Sequence, residues 1–222
     1  MSPAIKSLER ASPWVIGLLS IAAIAAAVFW AAAAMPYLTT QRASFGRFPD
    51  LFWDRRYGLW AHILGGTLAL FIGPVQIWLG ETERRMSLHR SLGSVYLVGV
   101  GLACLGAIYL SLTTSLGFTY ASGLFSMALV SATATSMAYL AIRRRSFVQH
   151  REWMIRSYVV IFSFVVFRTE VVALEALGIG GRGPEGDLVR VSFAAWSSWA
   201  IPLLLTEVFL GVPKLWRQSR VG

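Results

Sequence analysis

The chain has 222 residues, of which 56% are hydrophobic and 14% charged, against roughly 25% charged in an ordinary soluble domain. With a mean hydropathy of +0.60, that composition excludes a water-soluble globule, a disordered chain and a secreted disulfide scaffold. Twenty Lys+Arg against eleven Asp+Glu give a net charge of +9, which alone would suit nucleic acid, but the basic residues stand at the ends of apolar runs.

A helix needs about 20 mostly apolar residues to cross the hydrocarbon of a bilayer, and in lipid each spanning element must satisfy its own backbone. Six stretches qualify, at about 14–37, 59–80, 93–115, 119–142, 153–176 and 191–212. They predict an all-α fold: a polytopic membrane helix bundle of six transmembrane helices forming a single integral membrane domain over 1–222. The first follows Lys6 and Arg10 and ends in AAAAMPY; its apolar run exceeds the roughly 7–15 residues of a signal-peptide core, so a retained anchor is expected. Gly73-Pro74 in the second and Pro202 in the sixth are expected to kink their helices. Residues 38–58 and 177–190 read as the substantial loops, the latter because the Gly and Pro of GIGGRGPEGD oppose a continuous helix. Cys104, the single cysteine, lies inside a span and excludes intrachain disulfide and paired-cysteine chemistry.

Lysine and arginine counts orient the bundle. The N-terminus, the 81–92 loop, the 143–156 segment and the C-terminal tail hold Lys6, Arg10, Arg84, Arg85, Arg90, Arg143, Arg144, Arg145, Arg151, Arg156, Lys214, Arg217 and Arg220, whereas the other side holds Arg42, Arg47, Arg55, Arg56, Arg182 and Arg190. The positive excess belongs in the cytoplasm, which puts both termini inside a bacterial inner membrane. The net charge is thereby assigned to topology and lipid headgroups, and no nucleic-acid partner is expected.

Two hairpins look duplicated. Span two runs into ETERRMSLHRSLGSVY and span four into IRRRSFVQHREWMIRSY. Each has paired arginines, then His-Arg, then a tyrosine: Arg84, Arg85, His89, Arg90 and Tyr96 in one copy, Arg144, Arg145, His150, Arg151 and Tyr158 in the other, with a one-residue slip between them. The repeat places His89 and His150 at equal depth on the cytoplasmic side.

Ionisable groups near a membrane interior are functional candidates. His62 stands above Gly65, Gly66, Ala69 and Gly73 at helical spacings; this small-residue face is either a bed for a flat macrocycle or a surface for close helix packing, with His62 hydrogen-bonded across the contact. His89, with Gly93 one turn on, and His150 would suit the two axial ligands of a bis-histidine haem iron, with Arg90, Arg151 and Arg156 holding propionates. Alternatively these side chains meet phospholipid headgroups. Arg168, Glu170, Glu175 and Glu207 lie in apolar runs and must face protein or a cavity; His62, Arg168 and Glu170 fit an outer cluster, while Glu207 fits His89, His150 or Arg156 at the inner side. No Walker loop, dinucleotide fingerprint, HExxH or GxSxG is present.

The segments WAHILGGTLALFIGPVQIW, RRMSLHRSLGSVYL and QHREWMIRSYVVIFSFVVFR resemble the domain of unknown function 2306 family of predicted bacterial membrane proteins. The resemblance covers about residues 59–170 and is most specific in HREWMIRSY with Arg168 following. Its motif positions are His62, Gly66, Gly73, Gln76, His89, Arg90, Gly93, His150, Arg151, Trp153, Met154, Arg156 and Arg168. The histidine-bearing helices are also similar to those of diheme membrane b-type cytochromes, a likeness that implies haem b as cofactor and quinone or a redox protein as partner. A diheme site needs four histidines and this chain has three, so the likeness implies at most one bis-histidine haem. Three readings follow: a haem-b electron-transfer protein linked to the quinone pool, a transporter or channel with a polar pathway, and a cofactor-free membrane subunit or assembly factor.

Overall fold

The computed structural model describes residues 13–38, 49–83 and 85–218, and the described residues are helical apart from short connections. Seven α-helices occur among them: α1 Pro13–Phe29, α2 Pro49–Asp54, α3 Arg56–Thr82, α4 Met86–Thr113, α5 Phe118–Arg143, α6 Phe147–Ala176 and α7 Gly183–Gln218. The chain divides into two compact units, Met1–Ala103 and Cys104–Gly222, so the boundary falls within α4. Five stretches are long and apolar enough to cross a membrane: Gly17–Leu38, Arg56–Thr82, Met86–Thr113, Phe118–Arg143 and Gly183–Val212. The remaining long helix, α6, carries Arg156, Arg168, Glu170 and Glu175 within its length.

In the first unit, α1 continues into a π-helical turn, Trp30–Ala34, and a 3-10 turn, Met35–Leu38, and it packs against α3. Ala26 is fully buried, while Leu18, Ile21, Ile24 and Val28 are more than 60% exposed, a division between a protein-facing and a lipid-facing side. Trp60 Nε1 donates to Tyr37 O at 2.7 Å and ties the start of α3 to the end of that first segment. The small-residue face of α3 is buried over Gly65, Gly66, Ala69 and Gly73. A Cβ at Gly65 would lie 2.5 Å from both Gly99 O and Ala103 N of α4, and one at Gly99 would lie 3.0 Å from Gly65 O. Absence of side chains lets the two backbones touch here, as small-residue motifs do in lipid.

In the second unit, α6 packs along both α5 and α7, and α5 packs on α7. The contact surfaces are again small: Ala128, Ala134 and Ala138 on α5, Ser157 and Ser163 on α6, and Ala194, Ala195 and Ser198 on α7 are buried. Gly123 approaches α7 so closely that a Cβ would meet Ala195 O at 2.9 Å. Tyr120 and Phe167 close over a buried cluster of Val171, Val191 and Ala194.

Three expected boundaries move. The loop expected over 38–58 contains α2, and α3 begins at Arg56. The helix expected from 153 begins at Phe147, so His150 lies within its first turn. The loop expected over 177–190 shrinks, because α7 begins at Gly183: Pro184 falls in the first turn, where a missing N–H costs no intrahelical bond.

Candidate functional site

The duplicated motif folds the same way twice. Arg85 and Arg145 both adopt the left-handed backbone region, with φ of 51° and 58°, and each stands at the turn before a helix. His89 N then donates to Arg85 O at 3.1 Å, and His150 N donates to Ser146 O at 2.9 Å. Both histidines are thus the fourth residue of their helices, α4 and α6. Each ring also turns back on the preceding helix of its own hairpin. The position of a Cβ at Gly80 of α3 is 3.4 Å from His89 Cε1. His150 Nδ1 lies 2.9 Å from Ala138 O of α5.

A carbonyl only accepts, so Nδ1 of His150 carries the proton and, in the neutral ring, Nε2 keeps its lone pair. His62 is held alike: its Nδ1 is 2.9 Å from Ala103 O of α4. His62 and His89 serve opposite ends of the α3–α4 pair. Eighteen residues of α3 separate His62 from Gly80, about 27 Å along the axis. The face beneath His62 is filled by α4 at Gly65. Near His89, the buried Gln76 donates through Nε2 to His89 O at 2.9 Å, and its amide lies 3.9 Å from where a Cβ of Gly93 would be. Arg90 and Arg151, each next in sequence to a histidine, are exposed.

The second unit gathers polar residues of its long helices in pairs. Arg156 Nε donates to Glu207 Oε1 at 2.5 Å and its NH2 group to Oε2 at 2.8 Å, the fork geometry that makes guanidinium–carboxylate pairs strong. The same guanidinium lies 3.9 Å from Glu152 and over the Trp153 ring at 4.8 Å. Glu207 therefore takes Arg156 among its candidate partners, and Arg156 is committed to a carboxylate. Ser197 Oγ donates to Glu170 Oε2 at 2.6 Å, and the Arg168 guanidinium lies 5.7 Å from the centre of the Phe167 ring. Between these ends, Thr135 Oγ1 and Ser157 Oγ are 2.7 Å apart, and Ser163 Oγ donates to Met127 Sδ at 3.3 Å.

Arg190, counted from sequence only as a charge outside the membrane, is 3% exposed. Its NH1 donates to Ile179 O at 3.0 Å and Gly181 O at 2.8 Å, and its NH2 donates to Asp187 Oδ1 at 2.5 Å. It closes a loop in which Gly178, Gly180, Gly181 and Gly183 all have positive φ. The signal available in the sequence was the glycine run itself, which releases carbonyls that a neighbouring guanidinium can collect. Lys6, Arg10, Arg42, Arg47, Arg84 and Arg220, used in the orientation count, lie outside the described residues, as do the side chains of Trp14, Lys214, Trp216 and Arg217.

Among the described residues no three His, Cys, Asp or Glu side chains gather in a way that could hold a metal ion. A family model described as predicted membrane protein, DUF2306, matches residues 59–210. No curated protein and no solved structure matches the chain.

Proposed function

The chain belongs to the DUF2306 family of predicted membrane proteins, and from that premise we propose that it is a multi-pass protein of a bacterial inner membrane that binds a haem-type cofactor through interior histidine and exchanges electrons with the quinone pool. The observation that carries this reading is the hydrogen bond of His150 Nδ1 to Ala138 O. Metal-ligating histidines commonly donate one ring N–H to a backbone carbonyl, which fixes the tautomer and orients the other nitrogen toward the metal. A bare metal ion asks for three or four protein donors, and no such group occurs among the described residues. A tetrapyrrole brings four nitrogens of its own and asks the protein for one or two axial ligands, which isolated histidines can supply. Bound haem would supply one-electron redox chemistry at iron.

His150 is the proposed ligand; His89 has the same place in its own helix and is the corresponding candidate in the first unit. His62 shares the tautomer-fixing bond, but the filled face at Gly65 leaves no bed for a macrocycle below it. Arg151 is the proposed propionate partner of His150; Arg156, already bidentate with Glu207, is not. Purification with haem precursor supplied during expression tests the reading. A Soret band lost in His150→Ala supports it, and a colourless wild-type protein without metal by elemental analysis overturns it.

A transport reading is favoured by a different observation. From Arg156 to Glu170, α6 presents polar pairs to α5 and α7 over about 21 Å of its axis, much of the roughly 30 Å hydrocarbon thickness. Proteoliposomes that flux a small ion or solute and carry no haem would select it.

A further inference from the structure

We propose that the turn between α5 and α6 is an anionic-phospholipid site, at which Arg143, Arg144 and Arg145 collect headgroup phosphates while Phe147 and Val148 enter the interface. The proposal rests on the membrane placement of α5 and not on the haem reading.

Charge is the first support. Three arginines stand in a row at 143–145, and from Leu116 to Arg151 the chain has no acidic residue. The opposite end of α5, TTSLGF, has no charged residue at all. The charge of α5 thus stands at one end of that helix, where each basic residue adds attraction to an anionic leaflet.

Geometry is the second. Arg143, Arg144 and Arg145 are exposed. Arg145 has φ of 58°, a backbone region that non-glycine residues adopt at some cost. That conformation lets Arg145 N reach Ile142 O at 3.0 Å and Ser146 N reach Ala141 O at 2.9 Å, so the turn is closed and the arginines stand on a fixed backbone. Arg143 NH1 donates to Tyr139 Oη at 3.2 Å, with the guanidinium 5.9 Å from the ring centre; this holds the cation beside an aromatic of the kind that lies at headgroup level.

Exposure is the third. Phe147 and Val148 are 69% and 71% exposed, directly after the arginines and at the start of a helix. Apolar side chains beside a basic cluster bind interfaces by inserting the former and pairing the latter with anionic headgroups. A soluble acidic partner would match the arginines but leave this apolar pair without a role.

Native mass spectrometry of protein released from nanodiscs of mixed phosphatidylcholine and phosphatidylglycerol is the test. Wild type is expected to retain phosphatidylglycerol in excess over its share of the bilayer. Arg144→Gln with Arg145→Gln should lower that excess roughly tenfold or more, since each basic residue near an anionic surface is worth about a factor of five. Arg182→Gln, an exposed arginine of another loop, should leave it unchanged. Phe147→Ser with Val148→Ser, compared by quenching of a fluorophore at Gln149→Cys with lipid-borne quenchers, should move that position toward water. Retention in proportion to bilayer composition, an unaltered excess in the double arginine variant, or loss of the excess on adding inorganic phosphate would each overturn the proposal, the last by assigning the cluster to a free anion.

Discussion

Arg156 on α6 and Glu207 on α7 form a two-pronged ion pair, Nε to Oε1 at 2.5 Å and the NH2 group to Oε2 at 2.8 Å, between helices whose remaining contact is made largely by Ala, Ser and Val. The Arg156 side chain is 15% exposed and that of Glu207 47%. A single charge left in a spanning helix costs roughly 2.5–3.5 kcal/mol on insertion scales. Arg156→Leu and Glu207→Leu are therefore each expected to lower the thermal midpoint in detergent. The double variant should recover much of the loss, because no charge is left behind. A double-mutant cycle in the range of about 0.5–3 kcal/mol would mark the two as coupled; strictly additive effects would show that the pair holds nothing.

The contact of Gly65 with Gly99 and Ala103 is the second stability determinant. A methyl group at Gly65 would sit 2.5 Å from backbone atoms of α4, which cannot turn away as a side chain can. Gly65→Ala should cost about 1–3 kcal/mol, typical of overpacking. Gly101→Ala, on the same α4 but with nothing within 4 Å of a Cβ, should be neutral or slightly stabilising through helix propensity. Equal thermal midpoints for the two variants would contradict the close crossing.

Arg190 makes a prediction about local opening. Hydrogen bonds from a charged donor contribute about 1.5–3 kcal/mol each, and Arg190 gives the glycine loop two, to Ile179 O and Gly181 O. In Arg190→Met, trypsin should cut after Arg182 at least tenfold faster, in the regime where cleavage follows the population of the open loop. Unchanged cleavage would mean that Asp187 and the backbone of α7 fix the loop without the guanidinium.

How much of this was legible beforehand differs by element. The apolar runs located the long helices, since in lipid an apolar run and a helix are nearly the same thing. The small-residue face of α3 was visible, but not its partner, although Gly99 and Ala103 carry the same four-residue spacing of small side chains. Arg85 and Arg145 stand in a repeated motif, but their shared left-handed backbone leaves no mark in the sequence, because arginine carries no preference for it. Arg190 reads from the sequence as a plain loop charge, since its partners are chiefly carbonyls, which every residue possesses and no sequence pattern marks. Depth along the helices, which rise per residue supplies directly, brings Arg156 within the three candidate partners of Glu207.

Orientation is expected from the lysine and arginine asymmetry, with the 143–152 segment in the cytoplasm and the 177–182 loop outside. Cys104 is buried, so introduced cysteines can be read against a low background. Glu185→Cys should react with an impermeant thiol reagent in intact cells, and Gln149→Cys only after permeabilisation; both positions are exposed. The reverse pattern would invert the topology.

The last prediction separates two histidines that make the same bond. His62 and His150 each place Nδ1 at 2.9 Å from a carbonyl of a neighbouring helix, Ala103 O and Ala138 O, so both lose a hydrogen bond on truncation and both alanine variants should be destabilised by about 1 kcal/mol. Their spectra should differ. Below His62 the face at Gly65 is occupied by α4 backbone, whereas His150 stands in the first turn of α6 next to the exposed Arg151, where a propionate could be met. His62→Ala is accordingly expected to retain the haem spectrum in folded protein, and His150→Ala to lose it. Addition of imidazole to His150→Ala should restore part of the low-spin signal, because a free imidazole can fill the ligand position that the truncated side chain leaves. A spectrum lost in His62→Ala and kept in His150→Ala would move the cofactor to the other hairpin and require α3 and α4 to part at Gly65.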